Sequence, residues 1–294
     1  MSIQKKLAAA AGLAGLAISA AAFGHPESSL NLPVGVTPIS QQAHYLHMLT
    51  LWVCVAIAVV VFGAMIYSMV KYRKSQGAVA DTSIVHSTKA EIIWTIIPVI
   101  ILVALAVPAT KGLIIIEDTR NSGLTIKTTG YQWKWQYEYV SQNDGKTESP
   151  ISGVGFFSAL EENSNFTRQL GSGLDPNKVE NYLLDVDNPL VIPSGVKVRL
   201  LLTANDVIHA WWVPEFGMKR DAIPGFVNEM WIQVDEGKEG TYRGQCVELC
   251  GRDHGFMPIV VVVKTKQDFA AWLAAQQQAS APAATATATT TASL

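Results

Sequence analysis

Residues 131–140 read YQWKWQYEYV, in which Tyr131, Trp133, Trp135, Tyr137 and Tyr139 alternate with Gln132, Lys134, Gln136 and Glu138. A period of two with aromatic rings on one face is the pattern of a half-buried β-strand. LTIKTT (124–129) precedes it, and YLLDV (182–186), VKVRLLLTA (196–204), VIHAWWV (207–213), FVNEMWIQV (226–234), GTYRGQC (240–246) and MPIVVVVK (257–264) follow, separated by Gly, Pro, Asn and Asp turns. Short strands at this spacing predict an antiparallel β-sandwich or barrel over 117–279. Residues 142–181 lose the alternation and carry Gly, Ser and Asn, so they read as a surface insertion without an assigned function. Thr265 and Asp268 form a capping-box signature ahead of FAAWLAAQQ, which predicts a terminal helix. The Ala/Thr run at 280–294 is low in complexity and reads as a disordered tail; it holds no haem-attachment motif.

Upstream of the strands the composition changes. Only 16% of the chain is charged and its mean hydropathy is +0.22, an apolar excess that is concentrated in three runs. In residues 1–22, Lys5 and Lys6 precede an Ala/Leu-rich stretch that ends in small residues, the pattern of a secretory signal peptide, with an uncleaved anchor as the alternative. Residues 48–70 are uncharged and longer than the ~20 residues a helix needs to cross a bilayer. Residues 92–109 form a second, shorter span with Pro98 and Pro108, tolerated where neighbouring helices satisfy the freed backbone groups. The 71–91 loop carries Lys71, Arg73, Lys74 and Lys89 against Asp81 and Glu91, which places it in the cytoplasm. The 23–47 segment, both mature termini and the β-domain then lie outside, with lipid around the two spans. From Glu117 onward there are 21 Asp and Glu against 15 Lys and Arg, a net charge of −6. An acidic outer domain predicts a basic protein partner and no nucleic acid.

One loop concentrates the chemistry. GQCVELCGRDHGFMPI (244–259) holds Cys246, Cys250, His254 and Met257, and the outer domain has no further cysteine and only one other histidine, His209. Taken alone, the cysteines read as a disulfide in an oxidising compartment, with His209 buried beside Trp211 and Trp212. Zinc is a second alternative, although the thioether is a poor zinc ligand. Thiolate, imidazole and thioether in one loop favour copper. A single blue-copper ion needs two histidines, one cysteine and a weak axial methionine, so this loop has one thiolate too many. Two thiolates from a C-x-x-x-C segment can bridge two metals with one histidine on each, which would recruit His209 from another strand. An electron spread over two coppers changes redox state with little change in geometry.

DVIHAWWVP, DAIPG and GQCVELCGRDHGFMPI resemble the copper-binding half of subunit II of haem-copper cytochrome c oxidase, and AEIIWTIIP with TGYQWKWQYEY resembles its second membrane helix and first outer strands. The resemblance runs from about residue 30 to 272 and implies two membrane helices followed by a cupredoxin-like Greek-key β-sandwich in a bacterial plasma membrane. It makes Cys246 and Cys250 the bridging thiolates of a dinuclear CuA centre, His209 and His254 its terminal ligands, and Met257 and the Glu248 carbonyl its weak ligands. The Glu248 side chain would point toward a magnesium ion shared with subunit I, although by itself it reads as a solvated acid. Trp133 matches the residue that receives electrons from cytochrome c, against a structural reading as strand core shared with Trp135. Asp206 and Glu138 match acidic docking positions and singly are ordinary surface charges. Glu91 matches an acid at the cytoplasmic mouth of a proton path into subunit I, which is compatible with a capping box at Thr88. Cys54 reads as a small buried hydrophobe, and Arg252 and Asp253 receive no role. The implied function is electron transfer to the haem of subunit I for oxygen reduction coupled to proton translocation. A membrane-anchored copper-delivery protein would need exposed ligands, and a quinol-oxidase relative would lack them.

Overall fold

The computed structural model describes residues 31–79, 82–83, 86–145 and 147–280. The signal-peptide reading and the Ala/Thr tail beyond residue 280 lie outside them. Two long helices come first: α1 (Pro38–Lys71) and α2 (Thr88–Glu117). At 1.5 Å per residue they are about 51 and 45 Å long, well beyond a ~30 Å hydrocarbon core, so each apolar run is only part of its helix: 48–70 fills the C-terminal two-thirds of α1 and 92–109 the middle of α2. Val59, Val60, Phe62, Ile100 and Leu102 stand bare on their surfaces. Helices with such uncovered faces belong in lipid or against another subunit. Cys54 shares this exposure, so it is not the buried hydrophobe expected.

Cap chemistry sets where each helix begins. The Thr37 hydroxyl accepts from the Ser40 amide at 3.0 Å and Ser40 Oγ accepts from the Thr37 amide at 3.0 Å, with Pro38 at the first helical position, where a missing N–H costs nothing. In α2 the cap is Ser87, whose hydroxyl accepts from the Ala90 amide at 3.4 Å. The capping box expected at Thr88 does not form: Thr88 is already helical, the N-cap is one residue earlier with Ala90 at its third position, and the Glu91 carboxylate pairs instead with His86 Nδ1 at 2.8 Å.

The N-terminal end of α1 and the C-terminal end of α2 are tied to the β-domain. Thr37 Oγ1 donates to the Phe216 carbonyl at 2.9 Å, Trp231 Nε1 donates to the Ile115 carbonyl at 3.1 Å, and Arg220 Nη2 contacts both Glu117 oxygens at 2.7 and 2.8 Å.

The β-domain is two packed sheets. One contains β1 (Leu124–Tyr131), β2 (Lys134–Asn143), β3 (Glu148–Pro150), β6 (Val198–Ala204) and β9 (Asn228–Ile232) in the order β3-β2-β1-β6-β9, with β4 (Gly155–Ser158) also on β2. The other contains β5 (Leu190–Pro193), β7 (His209–Trp212), β8 (Lys219–Ala222), β10 (Gly240–Cys246) and β11 (Pro258–Lys264) in the order β5-β11-β10-β7-β8. Between them lie Ile126, Trp135, Leu200, Leu202, Trp211, Ile259 and Val261, all fully buried. The sandwich is not purely antiparallel as expected, because β1 with β6 and β5 with β11 run parallel.

Two strand expectations are corrected. YQWKWQYEYV is not one strand: β1 ends at Tyr131, Gln132 and Trp133 form a turn, and Tyr131 pairs back onto Lys134. Trp135, Tyr137 and Tyr139 are buried on β2, whereas Trp133 sits at the tip, partly exposed and off the face it was expected to share with Trp135. YLLDV is a turn with a single bridge, Val186 to Leu160. The 142–181 stretch is also more ordered than its composition suggests, carrying β3, β4 and a short α3 (Glu162–Thr167). The terminal helix α4 (Lys266–Ser280) starts at the expected signature, the Thr265 hydroxyl accepting from the Asp268 amide at 3.1 Å.

Candidate metal centre

β7 and the end of β10 are neighbours, with Cys246 opposite Trp211, so His209 and the loop after Cys246 meet at one end of the sandwich. His209, Cys246 and Cys250 are buried and present ligand atoms within 4.8 Å of one another. Cys246 Sγ lies 3.8 Å from Cys250 Sγ and 3.9 Å from His209 Nδ1. His254 follows in the same loop, its Nδ1 3.5 Å from Cys250 Sγ. Each thiol thus has its own imidazole. Both cysteines are free, so the disulfide alternative is not the state described.

These separations fit metal ligation. With metal–sulfur and metal–nitrogen bonds of about 2.3 and 2.1 Å, one ion can touch two sulfurs up to ~4.6 Å apart, or a sulfur and a nitrogen up to ~4.4 Å apart. Soft sulfur ligands with imidazoles and a buried methionine nearby suit copper better than a hard cation. The Glu248 carbonyl faces Cys246 Sγ at 3.4 Å while Glu248 itself is exposed. Met257 is buried in the core cluster with both cysteines, and its carbonyl accepts from the Cys246 amide at 3.0 Å.

The surroundings orient the ligands. Gly130 on β1 gives the His209 ring its space, since a Cβ there would lie 2.6 Å from His209 Cδ2. A glycine inside a strand is a cue to such close approach. Trp135 meets the same imidazole edge to face at 5.9 Å between centroids. His209 Nε2 is held by Asp206 Oδ1 at 2.9 Å, the carboxylate–imidazole arrangement that fixes a metal-binding histidine through its remote nitrogen. Asp206 also accepts from the Gln132 and Val207 amides at 2.7 Å each, and its side chain is 28% exposed. It is thus built into the site as well as lying at its rim.

Electrostatics differentiate the two thiols. Burial is the largest influence on Cys246 and disfavours its thiolate, but hydrogen bonds involving His209, Ala210, Glu248 and Cys250 outweigh it and lower its pKa. Cys250 is pushed up to about 12, first by burial and then by the neighbouring Cys246 charge. For His209, burial favours the neutral ring, but Cys246 and Asp206 together raise its pKa. Metal uptake must therefore displace a proton from Cys250 at neutral pH.

Trp133 touches this centre without being a ligand. Its Nε1 donates to the Cys250 carbonyl at 3.2 Å, and Gln132 Nε2 donates to the same oxygen at 2.8 Å. Gly251 makes the contact possible: its φ is +119°, and a Cβ would fall 2.9 Å from Gln132 Nε2 and 3.2 Å from Trp133 Cζ2. The structure does not bring every expected residue here. Glu138 is paired with Lys127 at 2.8 Å, five residues and roughly 16 Å along β2 from Trp133. Glu91 stands at the start of α2 beside His86. Gly130, Gln132 and Gly251 were not among the sequence-level candidates; only Gly130 carried a signal, as a glycine amid strand-forming residues.

A membrane-anchored β-sandwich with this cysteine–histidine cluster has well-defined relatives. Residues 124–264 match the family model for the periplasmic domain of cytochrome c oxidase subunit II, and residues 26–111 match the model for its transmembrane domain. The probable cytochrome c oxidase subunit 2 of Rickettsia bellii is 41% identical over 245 residues, 83% of each chain. Cytochrome c oxidase subunit 2 of Branchiostoma floridae is 34% identical, covering 83% of this chain and 95% of that one. A crystal structure of the periplasmic domain of subunit II from Bradyrhizobium japonicum is 37% identical and covers 55% of this chain and 99% of that one, with a TM-score of 0.42. The chain belongs to the cytochrome c oxidase subunit II family and is a membrane-bound component of a cytochrome c oxidase complex.

Proposed function

We propose that this subunit accepts single electrons from a cytochrome c and passes them through a dinuclear copper centre to the haem of the partner catalytic subunit. The observation that carries the proposal is the pair of buried thiols 3.8 Å apart, each flanked by an imidazole nitrogen. Cys246, Cys250, His209 and His254 would hold the coppers, with Met257 and the Glu248 carbonyl as weak ligands. When bound, the pair supplies a one-electron couple shared between two ions. The protein's own part is to hold the ligand geometry through the redox change and to keep water out. Burial of both cysteines also argues against copper delivery, which needs ligands that a recipient can reach.

Trp133 is the proposed electron port. The residue is partly exposed and its N–H is bonded to the Cys250 carbonyl, so a short bonded route leads from surface to ligand. The acidic outer domain would favour a cationic donor. The exposed Glu248 side chain would reach a magnesium ion shared with subunit I, and Glu91, paired with His86, would stand at the cytoplasmic mouth of a proton path. A bacterial plasma membrane location follows from the family resemblance, and the charge of the 71–91 loop supports an orientation with the β-domain outside. Protease added outside intact spheroplasts should cut the β-domain and spare that loop; protection of the domain reverses the orientation.

Met257→Leu tests the copper reading through a ligand that tunes more than it holds. Leucine keeps the buried volume and removes the thioether. Copper should remain at the wild-type ratio while the reduction potential shifts, measured by redox titration of the copper absorption. Loss of copper from a folded variant would show that the methionine is a principal ligand.

A further inference from the structure

The insertion that composition left without a role reaches the metal loop. Helix α3 is followed by its C-cap residue Arg168, whose Nε donates to Asn165 Oδ1 at 2.9 Å. The guanidinium is thereby turned so that Nη1 and Nη2 face the two oxygens of Asp253 at 3.5 and 3.3 Å. Its Cζ also lies 4.3 Å from the centre of the Phe256 ring. Asp253 and Phe256 bracket His254: residues 253–256 form a tight turn in which the Phe256 amide donates to the Asp253 carbonyl at 2.9 Å, and the His254 amide donates to the Gly251 carbonyl at 3.2 Å. The contact is shielded, with Arg168 and Asp253 side chains only 18% and 14% exposed. Arg252 approaches the same carboxylate at 3.5 Å but is 81% exposed, so solvent screens it.

We propose that Arg168 is a positioning residue for His254, and that the insertion exists in part to deliver it. By gripping the residue before and the second residue after the histidine, one guanidinium keeps the turn closed and the imidazole against Cys250. Arginine suits the task because its planar fork meets a carboxylate with two nitrogens while its face lies on an aromatic ring. The inference rests on the copper reading and adds to it what sets the rate at which this ligand lets go. A ligand on a short loop is only as well placed as the groups supporting it.

The test uses the full chain in detergent, loaded with copper, reduced with dithionite and mixed with excess bicinchoninic acid to time copper release. Arg168→Ala should begin with the wild-type copper content and release it about tenfold faster, the effect of losing a shielded ion pair and a cation–π contact together. Arg168→Lys should recover only part of the difference, because one ammonium cannot span both partners. Asp253→Asn, nearly isosteric, should also speed release, and adding it to Arg168→Ala should change little further. A merely structural role would lower the melting temperature of the copper-free chain and leave the release rate unchanged. Wild-type release from Arg168→Ala, or additive effects in the double variant, overturns the inference while leaving the copper centre standing. Failure of the unaltered chain to bind copper overturns both.

Discussion

Replacing Cys246 by serine should cut bound copper from two ions to at most one per chain and abolish the signature of an electron shared between two nuclei. Cys246 Sγ lies 3.8 Å from Cys250 Sγ and 3.9 Å from His209 Nδ1, so its removal takes away one of the two proposed thiolates and the partner of one imidazole. A hydroxyl is a poor substitute, being harder and far less acidic than a thiol. The fold should survive. Serine is smaller than cysteine, and its hydroxyl has the Glu248 carbonyl at hand, now 3.4 Å from Sγ, so it need not be left unsatisfied. The metal-free variant should therefore melt close to the metal-free wild type, while the stabilisation that copper gives the wild type by mass action is lost. Copper analysis with EPR of the purified chain checks this, and an unchanged spectrum in the variant refutes the ligand assignment. Copper binding should also tighten as pH rises toward the Cys250 pKa of about 12, since the bound form has given up a proton that the free form holds.

Trp133→Ala should leave copper content and spectrum intact and slow reduction by cytochrome c by more than an order of magnitude. The ring supplies no ligand, but its N–H joins the solvent-facing turn to the Cys250 carbonyl. Because Trp133 also packs on the core and on Gly251, the alanine variant has a structural cost, and the melting temperature must be followed. Trp133→Phe separates the two contributions: it keeps most of the packing and removes the donor, so its rate should fall between wild type and alanine. Wild-type rates in a folded alanine variant, measured by stopped flow at limiting cytochrome c, would reduce Trp133 to packing. Asp206 is a poor site for testing docking charge, because the carboxylate also holds His209 Nε2 at 2.9 Å. A substitution there perturbs the metal ligand as well as the surface.

The two apolar runs and the ligand loop were legible in the sequence because their information is local. Cys246, Cys250, His254 and Met257 fall within twelve residues, and a strand-to-strand loop of that length has to bring them together. His209 was legible through the family resemblance of DVIHAWWVP and as the one histidine left in the β-domain. What the sequence hid were the non-local and the very short features. A two-residue turn at Gln132–Trp133 leaves the alternation of aromatic and polar residues unbroken, so one strand was read where the chain doubles back. The parallel pairings of β1 with β6 and β5 with β11 join segments 74 and 71 residues apart, judged by Leu124 against Val198 and Leu190 against Val261, and periodicity says nothing about direction. β3 and β4, with three and four residues, are too short to show a period of two. Asp206 looked like any surface acid because its part in the site appears only when the chain between it and His209 bends the carboxylate back onto the imidazole.

The central claim is that Cys246 and Cys250 together hold two coppers that share one electron. EPR of the wild-type full chain, loaded with copper, oxidised and analysed for metal content in the same sample, tests it most directly. The account predicts two coppers per chain and a hyperfine pattern from two equivalent nuclei. One copper per chain with the hyperfine pattern of a single nucleus would contradict it.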